Sequence, residues 1–224
     1  MMNEFLQSFN GADPTTVSTS VKLFLMLTVL AVAPGILILM TSFTRIIIVL
    51  SFVRTSLATQ QMPPNQVLLA LAMFMTFFIM APTFQEINQT ALSPLFNNEI
   101  TLEESYEKAQ IPIKEFMAKN TRPQDLSLFL SYSNSKNPET IQDIPLTALV
   151  PAFAISEMKT AFQIGFMIFL PFLVIDMVVA SILMSMGMMM LPPVMISLPF
   201  KILLFVLVDG WYLVVKSLLQ SVNV

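Results

Sequence analysis

Three long apolar stretches dominate the pattern of hydrophobic and polar positions along this chain. They cover residues 21–53, 67–82 and 161–215, and proline or glycine interrupts or borders each of them. A helix needs about 20 apolar residues to cross the ~30 Å hydrocarbon core of a bilayer. The pattern therefore predicts an all-α, membrane-class protein whose long, kinked hydrophobic helices form hairpins, with a small helical extramembrane domain.

The same pattern divides the chain into four parts. We expect an N-terminal polar segment (1–20), a first pair of hydrophobic helices (21–82), an extracytoplasmic domain of short helices (83–155) and a second pair of hydrophobic helices with a Met-rich turn (156–224). The third part contains nine acidic and five basic residues, whereas 161–215 contains only three charged residues. The positive-inside rule, applied to Arg45 and Arg54, favours a cytoplasmic first loop.

Local signals predict where individual helices begin and break. Pro34-Gly35 should kink or break the first apolar stretch, because proline removes a helix hydrogen bond. Thr101 followed by Glu104 fits a capping box that opens a short helix to about residue 109. Pro112 can begin a further short helix, since proline suits the first helical turn.

The composition agrees with a membrane protein and excludes several kinds of chemistry. Only 11% of the residues are charged, against about 25% in soluble domains. Cysteine and histidine are both absent, which removes disulfides, thiolate catalysis and the usual ligands of zinc and haem. We therefore expect no metal and no cofactor, and the composition argues against most classes of enzyme. Dispersed basic residues and a net charge of −3 also argue against a nucleic-acid partner.

The N-terminal segment lacks the basic residues of a secretory signal. Residues 1–20 include Glu4 and Asp13 but no Lys or Arg, and a signal peptide begins with a positively charged region. We expect this segment to remain in the mature protein.

Two of the charges in the last apolar stretch predict a specific pair. A hairpin that turns at Met188-Met189 brings Asp176 level with Lys201, whereas a turn at Pro192-Pro193 would bring Asp176 level with Asp209. Two facing carboxylates repel and force one to take up a proton. We therefore predict an Asp176–Lys201 pair, which a charge swap should partly restore after Asp176→Asn.

Charges at membrane depth are costly, so they usually mark contacts or pathways. The candidates for inter-helix or inter-subunit contacts are Arg45, Arg54, Glu157, Lys159, Asp176, Lys201 and Asp209. A plainer interpretation is that the last three only set helix register and that Glu157 and Lys159 are solvated at the interface. Arg45 shares a helix stripe with Thr41, Thr44, Ser51 and Thr55, which calls for protein or water opposite it.

The methionine-rich turn leaves three classes of function open. Met184, Met186 and Met188–Met190 carry flexible thioethers that adapt to different neighbours, which suits a compliant seal in a conduit for large cargo. Buried charges in Pro- and Gly-interrupted helices are also typical of a solute transporter. An intramembrane protease built on Asp176 and Asp209 is the third class, because two facing carboxylates can share a proton.

Seven blocks of sequence resemble one known family. They are Met40–Val49, Pro63–Leu69, Thr76–Met80, Lys159–Phe166, Gly187–Met190 with Pro192–Pro193, Leu198–Lys201 and Phe205–Trp211. These blocks occur in the order typical of the FliP family of flagellar type III export-gate proteins, and only 83–145 matches loosely. Virulence-type secretion systems contain a related family, which is the alternative within this resemblance.

The resemblance implies a pore-forming subunit in a funnel-shaped helical assembly of the basal body. That assembly would contain about five copies of the chain, with FliQ and FliR and further export proteins such as FlhB and FlhA. It would conduct unfolded flagellar subunits across the bacterial cytoplasmic membrane. Within it, Met186, Gly187, Met188, Met189 and Met190 would form a gasket that narrows the pore. The assembly would be raised above the cytoplasmic side of the membrane, which departs from a simple four-span topology.

Overall fold

All regular secondary structure in the described part of the chain is helical, which confirms the predicted fold class. A computed structural model describes residues 14–59, 61–133, 138, 140–188 and 190–223. The chain divides into two compact units, one up to Ile38 and one from Leu39 onward. Helix α1 (Pro14–Leu39) makes up the described part of the first unit, apart from its last residue.

The second unit contains eight α-helices in its described residues. They are α2 (Phe43–Ser56), α3 (Asn65–Ile87), α4 (Ser93–Phe96), α5 (Leu102–Asn120), α6 (Pro123–Tyr132), α7 (Leu146–Ser185), α8 (Pro193–Leu207) and α9 (Gly210–Ser221). A π-helical turn (Asn88–Leu92) joins α3 to α4, and a short 3₁₀ turn (Ile141–Asp143) precedes α7.

The break in the first apolar stretch lies later than the sequence predicts. Helix α1 continues through Pro34 and Gly35 and ends at Leu39, and α2 begins at Phe43. One missing hydrogen bond at a proline does not by itself end an apolar helix. The hydroxyl residues Thr41 and Ser42 occupy the actual break, and the Thr41 hydroxyl accepts a hydrogen bond from the Phe43 N–H at 3.4 Å. Such side chains compete with helical hydrogen bonding and favour helix starts.

Helix α2 forms the centre of the second unit. Ile46, Val49, Leu50 and Val53 are fully buried, and their spacing places them along one face of the helix. They pack against α3 and α7. Helix α7 comes so close to α2 that a Cβ added at Gly165 would lie 2.5 Å from the Phe52 ring.

The polar region is built from fewer, longer helices than expected. The capping box at its start is present, with the Thr101 hydroxyl accepting from the Glu104 N–H and the Glu104 carboxylate accepting from the Thr101 N–H. However, α5 continues through Pro112 to Asn120, so the two predicted short helices are one. Pro112 is buried, and tertiary packing outweighs the loss of a single backbone hydrogen bond.

A second capping arrangement fixes the turn before α7. The hydroxyl and backbone N–H of Thr140 both donate to the Asp143 carboxylate, at 2.6 Å and 3.0 Å. These two hydrogen bonds lower the pKa of Asp143, because they favour its charged form. The side chain is fully exposed, so the effect stays local.

Helices run across all three predicted boundaries between parts of the chain. Helix α1 begins at Pro14, before the boundary at residue 20. Helix α3 and the turns after it continue from Asn65 to Phe96, and α7 begins at Leu146. Within the described residues, the segments Asn65–Phe96 and Leu146–Ser185 are each long and apolar enough to cross a membrane. Helices α8 and α9, bent by 64° at their junction, would make a third span if they act together.

Candidate functional site

A buried ion pair joins α2 to α7 in the core of the second unit. Arg45 is 2% exposed and Glu157 is 1% exposed. The Arg45 Nε donates to Glu157 Oε2 at 2.8 Å, and its Nη2 donates to Oε1, so the pair is bidentate. Glu157 is therefore an inter-helix contact, not a carboxylate solvated at the interface. A bidentate pair satisfies both charges with fixed geometry, which burial demands.

Arg45 also ties the C-terminal end of the chain to this pair. Its Nη1 donates to the Ser221 carbonyl oxygen and, at 3.1 Å, to the Ser221 Oγ. Two residues later, Asn223 and Asn120 exchange hydrogen bonds of 3.0 Å and 2.8 Å between backbone and side-chain amide groups. The end of α9 is thus held by α2 and by α5.

A second ion pair joins α7 to α8, as predicted from a hairpin that turns at Met188-Met189 and brings Asp176 level with Lys201. The Lys201 Nζ lies 2.6 Å from Asp176 Oδ2. Ser197, one helical turn before Lys201, donates its hydroxyl to the other carboxylate oxygen. The Lys201 side chain is 2% exposed, whereas that of Asp176 is 26% exposed. The pair fixes the register of the two helices on either side of the methionine turn.

The remaining charged candidates have three different environments. Arg54 donates to the Asn65 side chain and so links the end of α2 to the start of α3. Lys159 is exposed on α7, two residues from the buried Glu157. Asp209 is exposed at the bend between α8 and α9, where its φ of 52° is left-handed. Aspartate tolerates this conformation, so Asp209 marks the break between α8 and α9. Asp176 pairs with Lys201 and not with Asp209.

Glycine at position 187 ends α7 and begins the methionine turn (186–190). Its φ is 75°, a left-handed value that glycine adopts without steric cost. The Met188 N–H donates to the Leu183 carbonyl at 2.9 Å, and the Gly187 N–H donates to the Met184 carbonyl at 3.0 Å. These two hydrogen bonds define a Schellman motif, the usual glycine-dependent helix ending.

The three methionine side chains of the turn that the structure describes are all exposed. Met186 is 63% exposed, Met188 is 44% exposed and Met190 is fully exposed. Met189 lies outside the described residues. Pro193 then begins α8 at its first position, where a missing N–H costs nothing. The turn is therefore an apolar protrusion between a glycine-terminated helix and a proline-initiated one.

Several contacts of this site were not evident from the sequence. Ser197 lies four residues before Lys201, so helical spacing could have placed both on one face. The acceptor on Ser221 is a backbone carbonyl, for which the sequence carries no signal. The hydroxyls of Ser51 and Thr55, expected to face protein or water, donate to carbonyls four residues earlier in their own helix, at 2.8 Å and 2.9 Å.

Chemically, the site offers paired charges and apolar surface. Among the residues that the structure describes, no group of three or more Asp or Glu side chains could hold a metal ion. Asp176 and Arg45 are engaged in ion pairs, and the methionine turn presents thioethers alone. The Asp176–Lys201 pair can hold the hairpin rigidly, while the unbranched methionine side chains at its tip stay flexible.

Comparison with known proteins assigns the chain to a group. Residues 26–218 match the model of the FliP family. The flagellar biosynthetic protein FliP of Bacillus subtilis (strain 168) is 74% identical over 220 residues, covering 98% of this chain and 100% of that protein. FliP of Caulobacter vibrioides is 52% identical over 201 residues (90% of this chain, 76% of that protein). FliP of Aquifex aeolicus is 50% identical over 204 residues (90% and 85%).

Proposed function

The chain belongs to the FliP family, and we propose that it is a pore-forming, non-enzymatic subunit of the flagellar type III export gate. Its cargo is unfolded flagellar protein, and its location is the bacterial cytoplasmic membrane within the basal body. The relatives with which it shares half or more of its residues are named for flagellar biosynthesis. Family membership supports the export role, and the helices long enough to cross a membrane support the location.

A shared pore built by several copies is the second part of the proposal. Only 11% of the most apolar 18-residue stretch of Leu146–Ser185 is buried by the described part of its own chain. Isolated apolar surface of this extent needs lipid or protein against it. We propose that about five copies pack together with FliQ and FliR, and that FlhB and FlhA join the same apparatus.

The methionine turn carries the proposed gating role. Met186, Met188 and Met190 are exposed at the tip of a hairpin that the Asp176–Lys201 pair holds in register. Converging copies of this tip would form a ring of thioethers, which exclude water and ions yet conform to a passing polypeptide. Charged side chains at the same place would hydrate the closed pore and bind some cargo too tightly.

Replacing the methionines of the turn tests the seal. We expect Met186, Met188, Met189 and Met190→Ala to retain assembly but to let small ions leak through the membrane, because alanine leaves gaps where thioethers met. A dye-based proton-leak assay on membrane vesicles measures this. Met167→Ala with Met177→Ala, two exposed methionines elsewhere on α7, should leave the membrane tight. Tight vesicles with normal export in the turn variant would refute the gasket.

Native mass spectrometry tests the assembly separately. The chain, co-expressed with FliQ and FliR and extracted in detergent, should give a complex with several copies of itself plus both partners. A stable monomer or dimer that ignores those partners would remove the shared pore and favour a solute transporter instead.

A further inference from the structure

The exposed thioethers of the methionine turn have a chemical property that the seal does not use. A thioether sulfur is oxidised to the sulfoxide by two-electron oxidants, and exposure controls how fast this happens. Met186, Met188 and Met190 are 63%, 44% and 100% exposed, whereas Met80 and Met117, in the packed part of the second unit, are 1% and 0% exposed. The described residues thus include both exposed and buried methionines.

We propose that the methionine turn is a site of reversible oxidation by hydroperoxides, and that its sulfoxide form lets ions through the gate. The modification needs hydrogen peroxide to reach the turn, whose methionines are exposed in a single copy and whose ring, in the proposed function, meets the aqueous conduit on both sides. The effect on ion flow rests on the proposed function, in which the turn forms the seal.

The reaction balances without a cofactor. The sulfur lone pair attacks the terminal oxygen of hydrogen peroxide, an S–O bond forms and the O–O bond breaks. The sulfur loses two electrons, and the leaving hydroxide takes the proton of the transferred oxygen and departs as water. A methionine sulfoxide reductase reverses the change with two electrons from thiols and releases the oxygen as water, with one enzyme acting on each sulfoxide epimer.

Oxidation of the turn should let water and ions into the seal, because methionine sulfoxide is polar. Oxidation converts a flexible apolar side chain into a polar one, and a polar S=O group accepts hydrogen bonds from water. A ring of such groups at a narrow constriction would be hydrated where thioethers exclude water. Cargo could still pass, since the side chain keeps its length and rotatable bonds, so the first effect is loss of ion exclusion.

Two other methionines of α7 are as exposed in the single chain as those of the turn. Met167 and Met177 are 70% and 64% exposed on α7, but that helix is long enough to lie in a membrane, where hydrocarbon would cover them.

The test uses membrane vesicles from cells that express the chain with its gate partners. Hydrogen peroxide is added for increasing times and then removed with catalase, and peptide mapping by mass spectrometry gives the sulfoxide fraction at each methionine. We expect oxidation of Met186, Met188 and Met190 to be several-fold faster than that of Met80 and Met117, with Met167 and Met177 between. Proton leak should rise with the sulfoxide fraction of the turn and fall after treatment with both reductases.

Two variants separate this effect from general membrane damage. Replacing Met186, Met188, Met189 and Met190 by Leu removes the oxidisable sulfur, so the ratio of leak after peroxide to leak before it should approach one, whatever its starting leak. Met167→Leu with Met177→Leu should respond to peroxide as the unmodified chain does.

The possible failures are distinguishable. Turn sulfoxides that form no faster than those at Met80 and Met117 overturn the proposed modification site and leave the gasket standing. Rapid oxidation without a leak, in vesicles where the alanine variant of the turn does leak, overturns the effect on the gate. If neither oxidation nor the alanine variant causes a leak, the proposed seal itself is wrong.

Discussion

The less apolar half of α7 is the buried one: residues 146–165 contain Glu157, Lys159 and Gln163, whereas residues 166–185 contain Asp176 as their one charged residue. Eight of the ten buried residues of this helix lie in 146–165, and only Phe172 and Leu183 lie in 166–185. The first half packs against α2, α5 and α6, whereas α8 is the main neighbour of the second. Hydrophobicity alone therefore does not decide burial: the second half presents apolar surface that the described residues of the second unit leave uncovered.

The charged residues of the two halves follow the same division. Glu157 in the first half is 1% exposed and held by both nitrogens of a guanidinium, while Asp176 in the second half keeps a quarter of its side chain open. The first pair holds the core of one chain together. The second stiffens a hairpin whose outer surface is exposed within the second unit.

Breaking the buried pair should have the largest effect. Arg45→Met leaves the Glu157 carboxylate buried without a cation, and we expect a loss of about 3–5 kcal/mol in unfolding free energy. Lys201→Met should cost less, because Asp176 is partly open and keeps its hydrogen bond from Ser197. Thermal unfolding in detergent, followed by circular dichroism, compares the two variants.

A double variant provides the control for this first prediction. Arg45→Met with Glu157→Leu removes both charges and should recover much of the loss, since an apolar pair of similar volume is tolerated in a core. Equal destabilisation by Arg45→Met and Lys201→Met would show that the two halves do not differ as their burial suggests. For the second pair, Asp176→Lys with Lys201→Asp should partly restore the assembly that Asp176→Asn damages.

Two phenylalanines on α7 offer a matched comparison of packing. Phe153 is fully buried and packs edge-on against Phe116, whereas Phe166 is 56% exposed. Phe153→Ala should cost about 3–5 kcal/mol through lost burial and a new cavity. Phe166→Ala should change the unfolding free energy of the isolated chain by about 0.5 kcal/mol or less. The same unfolding assay measures both, and a similar cost for the two would contradict the division of α7.

The contact at Gly165 tests where the tightly packed half ends. A methyl group there would meet the Phe52 ring at 2.5 Å, so we expect Gly165→Ala to cost about 1–3 kcal/mol through overpacking. Gly35→Ala is the matched control, because nothing lies within 4 Å of its Cβ position and alanine is the better helix former. Adding Phe52→Leu to Gly165→Ala should relieve part of the strain; no relief would mean that another contact is responsible.

The smallest effect is expected at the start of α5, whose later residues help to cover the first half of α7. Thr101→Ala removes the capping hydroxyl that accepts from the Glu104 N–H, and we expect a loss of about 1 kcal/mol. Thr90→Ala, an exposed threonine bonded to the preceding turn of its own helix, should have little effect. Hydrogen exchange at the first turn of α5 would report the change locally, and unchanged exchange there would rule out a stabilising cap.

Much of the helical framework was predictable because its signals are local. The capping box at Thr101, the proline boundary before Asn65 and the glycine-ended turn at 187 all act through neighbouring residues. Hairpin arithmetic found the Asp176–Lys201 pair, since two helices joined by a short turn stay level with each other. The errors arose where packing overrides local preference: α5 continues through Pro112, and the first break moved from Pro34-Gly35 to residues 40–42.

By itself, the sequence determined that the chain is helical, that it belongs with membrane proteins and that a turn rich in flexible methionines lies at the tip of its second hairpin. These features follow from composition, periodicity and turn chemistry, which act over a few residues. Only the tertiary structure decided that Arg45 pairs with Glu157, 112 positions later, that a backbone carbonyl at Ser221 completes that cluster, and which half of α7 is buried. Such choices depend on contacts between distant segments, and the more apolar half of α7 is the one left exposed, so hydrophobicity along the helix does not tell which half is buried.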